Sequence, residues 1–276
     1  MYFILYIFLS VIDLVSSAPI IEPGIHLRNV TNKHGGPYKR GLPFNDPQVT
    51  KFFQDANSKV SWMYNWYSTV DNAADSYEFV PMLWSDAKSQ TDIWGKNMDF
   101  WVHLGPGTTH ALSFNEPDQC GNGGSCMLDV AKTVQAHRYF MEPLRKYGDK
   151  VKIVSPAVTN GVGDMGITYL KRFLDGCNGC QIDAVACHWY EKATNIDYFK
   201  KHIQDVHDAT GRPVWITEFG AAGNKAEVIN FLHVVLPWLN QQDWIERYAM
   251  FWAASGYLLN SAGKGLSEVG RVYNTY

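Results

Sequence analysis

The chain lacks the features that mark several special classes of protein. Its 24 Lys and Arg residues are offset by 27 Asp and Glu residues, so the formal net charge of −3 provides no basic excess for binding a nucleic acid backbone. It has no low-complexity tract and no internal repeat, and its composition is that of a globular protein rather than a disordered, collagen-like or coiled-coil chain. After residue 12, no apolar stretch approaches the roughly 20 residues that a membrane-spanning helix needs.

Common catalytic signatures are also missing, since no G-x-S-x-G, H-E-x-x-H or P-loop sequence occurs. One G-x-G-x-x-G sequence, Gly161–Gly166, lies between a predicted strand and a predicted helix, as dinucleotide-binding loops do. Asp183 has the spacing of a ribose-binding acid, but it begins its strand and so lies at the wrong end of the sheet. We interpret the sequence as a glycine-dependent loop, with dinucleotide binding as the alternative.

The amino-terminal segment has the pattern of a secretory signal peptide. Tyr2–Ile12 is almost wholly apolar, and the small residues that follow suit cleavage near Ala18. We therefore predict a signal peptide over residues 1–18, an extension over residues 19–38 and a location in the extracellular space or cell wall. An uncleaved anchor is the alternative. Asn29 begins an Asn-Val-Thr glycan acceptor sequence in a polar segment.

Only five cysteines are present, and an oxidising compartment favours the pairing of exposed thiols. Cys120 and Cys126 bracket a flexible Gly-rich loop, and Cys177 and Cys180 bracket an Asn-Gly turn. These two pairs are candidate disulfides, whereas Cys187 lies in an apolar run and is predicted to be a buried free thiol. Metal binding by the Cys-x-x-Cys pair is the alternative, although no second paired motif completes such a site.

What the chain has in excess is aromatic side chains, with ten Trp, fifteen Tyr and fourteen Phe. A large core accounts for part of this content, and a groove that stacks against flat ligand faces could account for the rest. Eight short β-rich runs recur about every 30 residues, and several are apolar throughout, as strands covered on both faces are. The predicted strands are Lys39–Phe44, Val60–Tyr67, Glu78–Trp84, Ala111–Asn115, Val151–Val158, Ile182–Trp189, Val214–Phe219 and Arg247–Ala253.

Helical patterns separate these strands. Asp46 and Pro47 begin one helix, and Asn195–Thr210 ends at a Gly followed two residues later by Pro. Met127–Tyr147 is predicted to break at Pro143, and Ala226–Leu239 to end early at Pro237. Eight such units over residues 39–276 predict a single α/β domain with the (β/α)8 TIM-barrel fold, with a doubly wound open sheet as the alternative. The barrel places catalytic residues at the carboxyl ends of its strands.

Two carboxylates fall at such strand ends. Glu116 ends the fourth predicted strand and Glu218 ends the seventh, each directly after an apolar run. A closed barrel would bring both to one face, and glycosidic bond cleavage requires such a pair. His188 also ends a strand, where a satisfied structural histidine is the alternative to a catalytic one.

The ordered motifs resemble those of the clan A glycoside hydrolases and, more narrowly, of glycoside hydrolase family 128 with its alkali-sensitive-linkage relatives. The resemblance runs from about Lys39 to the carboxyl terminus. The motifs are Lys39–Leu42, Phe79–Trp84, Ser113–Gln119, His188–Tyr190 and Trp215–Phe219. The resemblance implies a retaining (β/α)8 enzyme that acts on β-1,3-glucan and needs no metal or organic cofactor. The chain departs from the family pattern at Ala221–Gly223, where a longer polar stretch is expected.

The resemblance also implies roles for individual residues. Glu116 would be the general acid/base and Glu218 the nucleophile, while Asn115 would hydrogen-bond the 2-hydroxyl of the sugar. Tyr190 or His188, which share one strand face, would hold the Glu218 carboxylate. The barrel also places the strand-end tryptophans Trp84, Trp66 and Trp252 near the cleft as sugar-stacking candidates, with helix–strand packing as the alternative.

The sequence thus predicts a secreted, monomeric, endo-acting hydrolase with a β-1,3-glucan partner and no nucleic acid or membrane partner. Two other functions remain open. One is a glucan-binding or wall protein on the same barrel with little turnover, and the other is hydrolysis of a different β-linked glycan.

Overall fold

A computed structural model describes residues 38–276 and contains eight parallel strands. They are β1 (Arg40–Pro43), β2 (Val60–Tyr64), β3 (Glu78–Phe79), β4 (His110–Leu112), β5 (Lys152–Val158), β6 (Ala184–Lys192), β7 (Val214–Ala222) and β8 (Ile245–Met250). Their order in the sheet is β3-β2-β1-β8-β7-β6-β5-β4. A bridge between Met82, just after β3, and Leu112 in β4 joins the two edges of the sheet. The predicted (β/α)8 barrel is confirmed.

Within residues 38–276, six α-helices follow β3 to β8, one after each strand. They are α1 (Lys88–Asp99), α2 (Val130–Phe140), α3 (Gly166–Gly176), α4 (Ile196–Thr210), α5 (Lys225–Gln241) and α6 (Glu268–Thr275). The connection after β1 contains only a 3₁₀ helix, Pro47–Phe53, which is capped by the Asp46 side chain. No helix follows β2 in the described chain, so the first two units of the barrel are reduced.

Most strand residues are apolar because both faces of the sheet are covered. One face contributes to the barrel interior, which the large side chains Trp62 and Trp215 fill. The other face packs against the surrounding helices. Gly41 is required in this arrangement, because a Cβ there would lie 2.2 Å from the Trp62 ring.

One predicted helix end is wrong. Helix α5 continues through Pro237 to Gln241 instead of ending early. Proline removes the hydrogen bond to the carbonyl four residues earlier, and that carbonyl, of His233, lies 3.5 Å from the Tyr276 hydroxyl, which donates to it. The predicted break at Pro143 is confirmed, since α2 ends at Phe140 and a 3₁₀ helix, Glu142–Lys150, follows it.

Strand lengths also differ from the predictions. β6 and β7 each extend three residues further, because they pair with each other from His188 and Glu218 to Lys192 and Ala222. β2, β3 and β8 end earlier, so Trp66, Trp84 and Trp252 lie in the loops beyond them.

The glycine-rich sequence forms the loop between β5 and α3. Gly166 has a φ of +56°, and a Cβ there would lie 2.4 Å from the Gly161 carbonyl oxygen. Its backbone N–H donates to the buried Asp118 carboxylate at 2.7 Å, so a side chain already occupies the amino terminus of α3. The structural role of the glycines is therefore local, and the dinucleotide alternative is not supported.

The structure contains the disulfides Cys120–Cys126 and Cys177–Cys180, and Cys187 is a buried free thiol. Pairing of Cys177 with Cys180 removes the metal-binding alternative for that motif. The predicted signal peptide and the glycan acceptor Asn29 lie outside the described residues. Across residues 38–276 no helix is both long and apolar enough to cross a membrane.

Candidate active site

A cavity of about 630 Å³ opens at the carboxyl ends of the strands. Every residue predicted for the site lines it except His188, which lies buried beneath it. The predicted residues along its wall are Asn115, Glu116, Glu218, Tyr190, Trp66, Trp84 and Trp252.

Glu116 projects from the loop that directly follows β4. Its φ of +41° is in the left-handed region, which non-glycine residues occupy only when their surroundings enforce it. A backbone hydrogen bond from Glu116 N to Ala157 O, of 2.8 Å, anchors this turn to β5. Glu116 is buried, with 5% of the residue exposed, and its carboxylate accepts from His188 Nδ1 at 2.8 Å and from Gln119 Nε2 at 2.9 Å.

Glu218 lies within β7, opposite His188 of β6. Its Oε1 accepts a hydrogen bond of 2.7 Å from Trp66 Nε1, and the Tyr64 hydroxyl lies 3.5 Å from the same oxygen. Its Oε2 accepts a hydrogen bond from the Tyr190 hydroxyl. The Glu218 carboxylate is therefore fixed by donors that come from two sides of the barrel.

His188 lies between the two carboxylates and is completely buried. Its Nδ1 is 2.8 Å from Glu116 Oε1 and 3.6 Å from Glu218 Oε2, so it bonds Glu116 directly rather than Glu218. Burial disfavours the charged imidazole, but the Glu218 and Glu116 carboxylates outweigh burial and raise the pKa of His188. The raised pKa favours the protonated form of the imidazole beside the two carboxyl groups.

The two tyrosines near Glu218 stay in the form that donates a hydrogen bond. Burial and the adjacent Glu218 carboxylate both raise the pKa of Tyr190 and of Tyr64. Each phenol therefore keeps its proton at neutral pH.

One oxygen of Glu116 and one of Glu218 lie within 4.8 Å of each other and of a His188 ring nitrogen. Glutamate and histidine side chains are common metal ligands, so these three side chains could in principle bind a metal ion. However, His188 Nδ1 already bonds Glu116, and donors from Gln119, Trp66 and Tyr190 already occupy the carboxylate oxygens. The arrangement fits a hydrogen-bonded carboxylate pair better than a metal centre.

Aromatic rings form much of the cavity wall. Trp66 contacts both Phe251 and Trp252 edge-on, and Phe251 also contacts Tyr190. Trp252 Nε1 is buried without a hydrogen-bond partner, and so is Asn115 Oδ1. A ligand that combines flat apolar faces with hydroxyl groups would complement such a wall.

A short disulfide-closed hairpin, Cys120–Cys126, supports the other side of the cavity. Asn115 Nδ2 donates to Gly123 O at 2.9 Å, and Ser125 N donates to Asn115 O at 2.9 Å. Cys126 N donates to Gln119 O at 3.0 Å. The hairpin thus holds both Asn115 and the glutamine that contacts Glu116.

Sequence reasoning missed several residues of this site. Gln119 and Tyr64 touch the two carboxylates, and Phe251 and Asn160 line the cavity. Tyr64 could have been found, because it lies two residues before Trp66. The contact of Gln119 with the Glu116 carboxylate depends on the turn at Glu116, and no sequence pattern indicates that contact.

A family model for the glycosyl hydrolase catalytic core matches residues 41–273. Alkali-sensitive linkage protein 1 of Schizosaccharomyces pombe is 30% identical over an alignment of 256 residues, which covers 85% of this chain and 44% of that protein. The chain therefore spans less than half the length of this curated relative.

Solved structures with the same fold are described as members of family GH128. A curdlan-specific exo-β-1,3-glucanase from Blastomyces gilchristii is 31% identical with a TM-score of 0.76, and the match covers 87% of this chain and 100% of that one. An endo-β-1,3-glucanase from Sorangium cellulosum is 26% identical with a TM-score of 0.71, with 85% and 97% covered.

Proposed function

The chain belongs to the glycosyl hydrolase catalytic core family and, within it, to glycoside hydrolase family 128, and we propose that it hydrolyses β-1,3-glucan with retention of configuration. The observation that carries this proposal is the carboxylate pair. Oxygens of Glu116 and Glu218 approach within 4.8 Å at the base of an aromatic cavity. Retaining enzymes hold their carboxyl groups about 5–5.5 Å apart, whereas inverting enzymes need about 6.5–9.5 Å to admit a water molecule.

In the first step, protonated Glu116 gives its proton to the glycosidic oxygen while a Glu218 oxygen attacks the anomeric carbon. The bond from that carbon to the leaving oxygen breaks, and a glycosyl ester forms on Glu218. In the second step, Glu116 takes a proton from water, whose oxygen displaces Glu218 from the sugar. The first leaving group and the final sugar both depart as neutral alcohols.

The hydrogen bonds around each carboxylate support these roles. Glu218 accepts hydrogen bonds from Trp66 and Tyr190, which fix the orientation of the carboxylate that attacks the sugar. During the first step, one negative charge disappears from Glu218 and one appears on Glu116. Since His188 Nδ1 lies 3.6 Å and 2.8 Å from oxygens of these two residues, it stays close to the charge in both states.

The choice of β-1,3-glucan rests on the relatives, two of which are described as β-1,3-glucanases. Trp84, Trp66 and Trp252 supply faces on which glucosyl rings can stack. The unpartnered Asn115 Oδ1 is placed to accept a hydrogen bond from the 2-hydroxyl of the sugar at the cleavage point.

We also propose that the protein acts outside the cell as a monomer, after loss of residues 1–18 and glycosylation at Asn29. Two disulfides support this location, because disulfides persist in oxidising compartments. Amino-terminal sequencing of the secreted protein, with and without enzymatic deglycosylation, tests the cleavage site and the glycan together.

The test of the activity is product analysis on laminarin and on defined β-1,3-linked oligosaccharides, with Glu218→Gln as the control. Soluble products that disappear in the variant support the proposal, and internal cleavage products support the endo-acting mode. Tight binding without products would instead favour a glucan-binding protein. Products from another β-linked polysaccharide alone would contradict the substrate assignment.

A further inference from the structure

The Tyr190 ring lies directly against the backbone of Gly220. In the paired strands β6 and β7, Tyr190 is opposite Gly220, and His188 is opposite Glu218 two residues earlier. Side chains two residues apart share a face of a strand, so Glu218 and Gly220 face the same way. Tyr190 therefore extends over Gly220 to reach the Glu218 carboxylate diagonally.

The space above Gly220 is available only because it has no side chain. A Cβ at this position would lie 2.6 Å from both Cδ1 and Cε1 of Tyr190. Gly220 does not have the positive φ that would itself require glycine, so its backbone conformation would accept alanine. The close approach of the Tyr190 ring, rather than the backbone conformation, is the reason that position 220 requires glycine.

The Tyr190 ring cannot move away from position 220 without changing its other contacts. On its cavity side it contacts Phe251 edge-on, with ring centroids 5.6 Å apart. Its hydroxyl bonds Glu218 Oε2, the carboxylate oxygen nearer to His188. A methyl group at position 220 would push the ring towards Phe251 and move the hydroxyl relative to Glu218.

We propose that Gly220 is a positioning residue for the nucleophile, since it provides the slot in which Tyr190 holds Glu218. This inference rests on the proposed function, in which Glu218 attacks the sugar. A displacement of about 1 Å in a catalytic group can reduce the rate about 10²-fold. Gly220 touches neither the substrate nor the reacting atoms and acts through Tyr190 alone.

The decisive variant is Gly220→Ala, measured beside Gly95→Ala as a matched control. Gly95 lies in α1, and nothing within 4 Å would meet a Cβ there. We expect Gly220→Ala to lower kcat/KM on laminari-oligosaccharides about 10- to 100-fold while its melting temperature stays close to that of wild type. Gly95→Ala should keep the wild-type rate. A wild-type rate in Gly220→Ala would overturn the inference.

A double-mutant cycle with Tyr190→Phe separates positioning from general damage. Once the hydroxyl is absent, adding Gly220→Ala should reduce kcat/KM by no more than about 3-fold, because the shared mechanism has already been lost. A loss as large in the Tyr190→Phe background as in wild type would contradict the role of Tyr190.

The partition of the loss between kcat and KM supplies a readout that general damage to the cavity would not reproduce. Trp66, Trp84 and Trp252 stay on the cavity wall in Gly220→Ala, whereas the displaced Tyr190 hydroxyl contacts Glu218. The loss should therefore fall on kcat, with KM within about 3-fold of that of wild type. A loss carried mainly by KM would count against the inference.

A crystal structure of Gly220→Ala tests the contact without reference to turnover. We expect the Tyr190 hydroxyl to lie beyond hydrogen-bond distance of Glu218 Oε2, and an intact contact would refute the inference. Absence of turnover in the wild-type protein would contradict the proposed function instead, so the two failures are distinguishable.

Discussion

The leaving group of the substrate can separate the roles of Glu116 and Glu218. A glucosyl leaving group must be protonated as its bond breaks, whereas a strongly acidic phenol departs without help. The nucleophile is needed in both cases. The contacts of Glu116 with His188 and Gln119, and of Glu218 with Trp66 and Tyr190, make each carboxylate a distinct target for substitution.

We predict that Glu116→Gln and Glu218→Gln each lower kcat/KM on laminarin by at least about 10²-fold, because general acid catalysis alone contributes about 10²–10⁴-fold. With an activated aryl β-glucoside, Glu116→Gln should still release the phenol in a first-turnover burst, and Glu218→Gln should not. Stopped-flow absorbance measures the burst. Near-wild-type laminarin turnover in either variant would exclude that residue from its role.

Some tryptophans line the cavity and others fill the barrel interior. Trp84 lines the cavity and is only partly buried, whereas Trp215 is completely buried among the strands. We predict that Trp84→Ala weakens laminari-oligosaccharide binding and has little effect on the melting temperature. Trp215→Ala should destabilise the fold by about 3–5 kcal/mol. Calorimetric binding and thermal melts of both variants check this, and unchanged affinity in folded Trp84→Ala would contradict it.

At the scale of elements, the two disulfides close short loops in different places, between cysteines that are 6 and 3 positions apart in the sequence. Each is expected to stabilise the fold by about 2 kcal/mol. Only the hairpin Cys120–Cys126 contacts the site, through Asn115 and Gln119. The other bridge, Cys177–Cys180, directly follows helix α3.

We therefore predict that the double variant Cys120→Ser/Cys126→Ser loses kcat/KM about 10-fold or more, because Asn115 and Gln119 lose their fixed partners. The matched variant Cys177→Ser/Cys180→Ser should show a similar drop in melting temperature and retain its rate. Kinetics on laminari-oligosaccharides below both melting temperatures compare the two. Equal rates in both variants would show that the hairpin does not organise the site.

The existence and order of the strands could be predicted because burial on both faces leaves apolar runs in the sequence. Their ends could not, since the extension of β6 and β7 to Lys192 and Ala222 arises from their pairing with each other. The carbonyl of His233, which Pro237 leaves without its helical donor, accepts from Tyr276, 39 positions after the proline in the chain.

The site could be predicted in part for a related reason. Strand ends and the barrel rule place Glu116 and Glu218 on one face. The contacts of Trp66 and Gln119 with them depend on loop conformations, with Trp66 at a φ of +58° and Glu116 at +41°. Such conformations are imposed by tertiary packing, so residue type and spacing carry no sign of them.

At the scale of the whole molecule, the end of the barrel opposite the cavity contains a buried ion pair. Arg247 Nη2 of β8 lies 2.6 Å from Glu78 Oε2 of β3, and Thr109 N and Oγ1 each donate to Glu78 Oε1 at 2.7 Å. Burial would raise the pKa of Glu78, but Arg247, His110 and the Thr109 hydrogen bonds together lower it. These contacts connect β3 with β8 and with the residue that precedes β4, and so support the closure of the barrel between β3 and β4.

We predict that Glu78→Gln destabilises the protein by about 3–5 kcal/mol at pH 7, because Arg247 is left as an unpaired buried charge. A lowered pKa in the folded state gives stability that is present above the ordinary value of 4.5 and is lost as the pH falls below it. The difference in unfolding free energy between wild type and variant should therefore shrink in acid. Urea melts from pH 3 to pH 8 measure it, and a constant or growing difference would contradict the account. The kcat of the folded Glu78→Gln variant should equal that of wild type.

The measurement that tests the central claim most directly is the anomeric configuration of the first product. Proton nuclear magnetic resonance can follow hydrolysis of a β-1,3-linked oligosaccharide before the new reducing end mutarotates. Double displacement through Glu218, assisted by Glu116, predicts that the β-anomer appears first. Appearance of the α-anomer first would mean single displacement by water and would contradict the retaining mechanism proposed for this pair.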